Sequence, residues 1–153
     1  MSGRESKENN DIFFVCSLIE HISRKTKNHR SVVVNALGKE KLQHIFNLAD
    51  IYHSENIEKV SDELIIACKI ETGHFDNVAV NNYSTPTIWD IGKVYKRLIV
   101  DINNFRDSNE PVIILIEVFN SWISRKIEDL NSSLYFENPD YIFQSYLAGD
   151  VLA

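Results

Sequence analysis

Residues 86–105 read PTIWDIGKVYKRLIVDINNF. Ile88, Ile91, Tyr95, Leu98, Ile102 and Phe105 fall three, four, three, four and three residues apart. That rhythm places all six on one stripe of a helix, which turns once every ~3.6 residues. Pro86, behind Thr85, stands at the head of the stripe. Proline suits a first helical turn, where its missing N–H has no partner to lose, and Thr can cap the N–H groups left unpaired. The other two prolines have similar settings: Pro111 follows Ser108-Asn109-Glu110 and Pro139 follows Asn138, each before an apolar pattern. All three read as helix starts, at about Pro86, Glu110 and Pro139, and the chain reads as all-α.

Beyond the stripe, Arg106-Asp107-Ser108-Asn109 makes a short turn, so the next helix should run antiparallel, from Glu110 to about Leu130. Its start, Val112 to Ile116, is apolar all round and fits a buried helix end or a strand. Phe119, Ile123, Ile127 and Leu130 continue at helical spacing and favour the helix. Asn138-Pro139 opens a short helix closed by Gly149. These elements, residues 86–149, make a helical hairpin and a capping helix.

Toward the N-terminus, residues 71–85 lack periodicity, apart from a short turn of helix expected around Phe75 to Val80. They read as a joint between two subregions. Residues 10–70 carry the N-terminal helices. One runs from Asn10 or Asp11 to about Lys27 with the stripe Ile12, Cys16, Ile19 and Ile22. A second starts at a Ser31 cap and stops at Gly38; its Val32 to Val34 also suits a strand by propensity. A third spans Lys39 to about His53, and a fourth about Asn56 to Ile70. Residues 1–9 read as a flexible leader. The expected architecture is one domain of residues 1–153, a bundle of six or seven helices that is compact or two-lobed.

Composition narrows the functional classes. The chain has 153 residues and a net charge of −6, and so lacks the basic field that phosphate binding usually needs. The longest apolar run, Val112 to Ile116, is far short of the ~20 residues of a membrane span. The polar N-terminus shows no signal-peptide core, so a cytoplasmic location is expected. Cys16 and Cys68 lie in apolar helical patterns and read as buried reduced thiols.

Catalytic and cofactor motifs are missing. There is no Gly-x-Ser-x-Gly elbow, phosphate loop or dinucleotide fingerprint. Glu40 and His44, or Asp50 and His53, could share a helix face, but paired Cys/His zinc spacings and Glu-x-x-His are absent. No catalytic residue, metal or cofactor is therefore assigned. Gly92, inside the stripe, reads as a point of close approach by a neighbouring helix.

Two polar-aromatic segments remain. In one, Trp89, Lys93, Lys96 and Arg97 lie off the core stripe and suggest an exposed aromatic-and-basic face, which also reads as a plain solvated helix face. Such residues are favoured anchors at protein interfaces. The other, residues 131–141, is dense in hydrogen-bonding groups, with Asn131, Ser132, Tyr135, Glu137 and Tyr141 as candidate contacts. It also reads as a turn that locks the last helix.

The segment Phe13 to Leu64 resembles a family of short, uncharacterised helical bacterial proteins. The residues that carry the likeness are Phe14-Val15-Cys16, Ile19-Glu20, the helix Ile45 to Ile51, Tyr52-His53 and Val60-Ser61-Asp62-Glu63-Leu64. Members of that family are commonly encoded beside small ADP-ribosyltransferase-like proteins. The resemblance implies a toxin–antitoxin or effector–partner role and supplies no catalytic residue.

The leading expectation is a non-catalytic interaction module whose partner is another protein, such as an ADP-ribosyltransferase-like enzyme. One alternative is a small-ligand binder or enzyme with a polar pocket built from Tyr95, Glu137 and Tyr141 with His44 or His53. Another is a nucleic-acid binder with a helix-turn-helix at Ser31 to Tyr52, against which the charge argues.

Overall fold

The N-terminal helix lies along the helix of the 88–105 stripe, and the other helices pack around this pair. The computed structural model describes residues 3–152. Among them are eight α-helices and no strand: α1 (Gly3–Thr26), α2 (Arg30–Asn47), α3 (Ala49–His53), α4 (Ile57–Ala67), α5 (Ile88–Phe105), α6 (Pro111–Phe119), α7 (Trp122–Glu128) and α8 (Pro139–Ala148), with a 3-10 turn at Leu134–Phe136. Helix α1 packs on α5 and α2, α2 on α6, and α5 on α6 and α8. One apolar core therefore draws on helices from both halves of the chain, from Ile12, Leu18 and Ile19 to Leu98, Ile99 and Val118. No described helix is long and apolar enough to cross a membrane.

Gly92 sets the main crossing. A β-carbon there would stand 2.0 Å from Oγ and 3.0 Å from Cα of Ser17 on α1. Ser17 is fully buried. Only a residue without a side chain lets the two backbones come this close.

Several expected boundaries move, each for a local reason. Helix α1 already includes residues 3–9, where a flexible leader was expected; Met1 and Ser2 lie outside the described residues. Lys7 and Asp11 form an (i, i+4) ion pair at 2.8 Å on this first stretch, a spacing that supports a helix. Helix α5 starts two residues after Pro86, and its cap is Thr87 in place of Thr85. The Thr87 side chain accepts from the N–H of Asp90, whose carboxylate in turn accepts from the N–H of Thr87. This reciprocal pair satisfies two helix-end donors at once. Pro111 and Pro139 do occupy first turns, and Asn138 caps α8 by accepting from Asp140 N–H.

The expected helix 110–130 is two helices, broken at Asn120-Ser121. Asn120 Nδ2 donates to Ile116 O (2.9 Å) and Ser121 Oγ to Val118 O (2.7 Å). Both side chains compete with the backbone for its own acceptors. In the N-terminal half, the expected helix from Lys39 to His53 breaks at Leu48. Gly38, at φ 79°, kinks α2 where a stop was expected. Val32–Val34 and Val112–Ile116 are helical. Cys16 is fully buried, and burial pushes its thiol well above the ordinary range; Cys68 is half-buried.

Candidate functional site

Two polar regions stand out, one closed and one open. The closed one begins where α1 ends. Arg30 is 1% exposed and forks onto Glu20: Nε donates to Oε1 at 2.8 Å and Nη2 to Oε2 at 2.6 Å. Arg24 Nε adds a 2.7 Å bond to the same carboxylate. Burial alone would raise the Glu20 pKa, but the Arg30 charge and hydrogen bonds, then those of Arg24, hold it below the ordinary glutamate value.

Helix α2 has no side-chain cap of its own, and Ser31, the expected cap, lies inside its first turn. The cap comes from α7: Arg30 N–H donates to Glu128 Oε2 at 2.6 Å. The other Glu128 oxygen accepts from His29 Nδ1 at 2.8 Å. A carboxylate is well placed there, because it meets both the unpaired N–H groups and the positive end of the helix dipole. Asn77 completes the junction: its Oδ1 accepts from Arg30 Nη2 (3.3 Å) and its Nδ2 donates to Glu128 O (3.0 Å). Phe75 stacks on His29 with ring centres 3.8 Å apart. The loop also closes back on the α1–α2 turn through Gly73 N–H to Thr26 O and Phe75 N–H to Lys27 O, both 2.8 Å. The junction thus ties α1, α2, α7 and residues 71–77 together.

The open region lies between α5 and the 3-10 turn. Lys93 and Arg97, one helical turn apart, line a cleft of about 390 Å³ with Val94, Pro86, Tyr135 and Phe136. A small adjoining hollow has Arg97, Tyr135 and Glu137 in its wall. Lys93 and Arg97 are exposed. Among the described residues, neither they nor Lys96 has a carboxylate within 4.0 Å. Phe136 is 75% exposed. Asp90 also lines the cleft, with its carboxylate engaged by Thr87 N–H at 2.9 Å.

No protein-family model, curated protein or solved structure matches the chain. The site reading therefore rests on geometry alone.

The cleft joins parts of both candidate segments. Lys93, Arg97 and Tyr135 line it and Glu137 borders it. Tyr135, expected as a surface contact, is only 7% exposed and forms wall, while its neighbour Phe136 points outward. The other candidates lie elsewhere. Trp89 packs near Phe13 (5.8 Å between ring centres) and His53 (6.4 Å). Lys96 is half-buried and outside the cleft lining. Asn131 accepts from Asn82 N–H and donates to Val80 O, pinning the loop. Ser132 Oγ lies within hydrogen-bond distance of Lys126 O and Asp129 O at the end of α7. Tyr141 donates to Leu152 O at 2.6 Å.

The groups considered for a polar pocket do not converge. Tyr95 is buried with its hydroxyl 2.8 Å from Ser124 Oγ, His53 lies near Phe14 and Trp89, and His44 lies near Tyr52. Arg30 and Glu128 escaped the sequence reading, and Phe136 lies in the candidate segment 131–141 without being singled out there.

Proposed function

We propose that the protein is a non-catalytic interaction module that holds another protein in the cleft between α5 and the Leu134–Phe136 turn. The observation that carries this reading is the pairing of unneutralised Lys93 and Arg97 with the exposed Phe136 ring in one concave site. Exposed aromatic and Arg side chains around a pocket are the usual anchors of protein contacts. The resemblance of Phe13–Leu64 to helical proteins encoded beside ADP-ribosyltransferase-like proteins makes such an enzyme the first partner to test. Phe14, Val15, Cys16, Ile19 and Glu20 are all buried, so that part of the likeness concerns the framework and not a contact surface.

The test is affinity capture from the native host with wild-type protein and the charge-reversed pair Lys93→Glu/Arg97→Glu. A stoichiometric partner retained by the first and lost by the second supports the reading. No partner, or one held equally by both, contradicts it.

A further inference from the structure

The cleft's chemistry points to the kind of segment it takes. We propose that it binds an acidic stretch of a partner protein, seating one apolar side chain against Phe136 and Tyr135 while flanking carboxylates meet Lys93 and Arg97. This assignment rests on the interaction reading above and narrows it to one chemistry.

Charge selects the occupant. The whole chain carries −6, yet Lys93, Lys96 and Arg97 crowd three cations into two turns of α5. The crowding is felt: burial first, then the Arg97 and Lys93 charges, lower the Lys96 pKa. The nearest acidic group in the lining, Asp90, is engaged in the cap of its own helix. Asp101 offsets part of the repulsion at Lys96. An incoming carboxylate at Lys93 and Arg97, which have no carboxylate within 4.0 Å among the described residues, would relieve more of it.

Shape and apolar surface select it further. Phe136 stands largely in water, and Val94, Pro86 and Tyr135 form an apolar wall beside it. A space of about 390 Å³ suits a side chain with its flanking backbone. Burying one large apolar side chain supplies ~1.5–3 kcal/mol, and the ion pairs fix its orientation and speed encounter. A nucleic acid fits less well. It draws affinity from many phosphate contacts, typically about 6–10, whereas the cleft lining supplies two cations.

Selection of random dodecapeptides displayed on phage, against wild-type protein and against Lys93→Glu/Arg97→Glu, tests this directly. The enriched peptides should be net negative with at least one aromatic or aliphatic anchor. The best of them, followed by fluorescence anisotropy, should bind about tenfold more weakly to the reversed pair and on raising the salt. Phe136→Ser should weaken it about fivefold or more. Circular dichroism melting of each variant separates loss of the site from loss of the fold, and Lys93→Gln/Arg97→Gln replaces any variant that melts early. Neutral or basic selected peptides, no enrichment, or tighter binding of a single-stranded oligonucleotide would overturn the proposal. If a partner is captured through the cleft while selected peptides are neutral, the interaction reading stands and the acidic assignment falls.

Discussion

Arg30 and Arg97 have opposite surroundings. Arg30 is 1% exposed, forked onto Glu20 and held by Asn77. Arg97 is exposed, with no carboxylate within 4.0 Å among the described residues. A buried charge survives only when paired and hydrogen-bonded, so the first arginine belongs to the fold. An exposed unpaired charge beside an exposed aromatic ring is available to something else. The contrast separates polar groups that hold this molecule together from those that face a partner.

The comparison can be broken most forcefully at Arg30. Arg30→Met leaves the buried Glu20 carboxylate with Arg24 as its remaining cationic partner and should cost about 3 kcal/mol in urea denaturation. Adding Glu20→Leu should recover much of that loss, because a buried pair replaced by apolar groups is often neutral. Acid attacks the same place. Glu20 has a folded-state pKa below its ordinary value, so its stabilising contribution is present in full above that value and fades as pH falls through the lowered one. The thermal midpoint of wild type should therefore drop below about pH 4.5, and that of Arg30→Met/Glu20→Leu should drop less.

Smaller effects sharpen the picture. Gly92→Ala forces a methyl group into Ser17 and should cost about 1–3 kcal/mol by the same denaturation assay. Thr87→Ala removes the α5 cap and should cost about 1 kcal/mol. At the far end of the scale, Lys93→Glu/Arg97→Glu should shift stability by no more than about 0.5 kcal/mol per site, as surface changes usually do. Binding alone should suffer.

These regions differ in how readable they are from sequence. The α5 stripe, the Pro111 and Pro139 starts and the close approach at Gly92 depend on neighbours within a turn or on residue size, so local rules expose them. The break at Asn120-Ser121 depends on two short polar side chains whose pull on the backbone was outweighed by the surrounding apolar pattern. The junction was not legible. Arg30 and Glu128 meet across 98 positions, and nothing near either one in the chain marks it as buried. The Thr87–Asp90 box is a local signal, but Thr85-Pro86 offers a competing helix start two residues earlier. Half of the cleft was legible, since Lys93 and Arg97 fall off the core stripe. Its other wall needed the fold to bring Tyr135 and Phe136 alongside.

The central claim is that the open cleft is a docking site and the closed junction is not. A photoreactive phenylalanine analogue at position 136, irradiated in native cells, tests it most directly. The account predicts one discrete protein adduct, abolished by Lys93→Glu/Arg97→Glu while the melting midpoint is kept. No adduct, or one that survives the charge reversal unchanged, would contradict it.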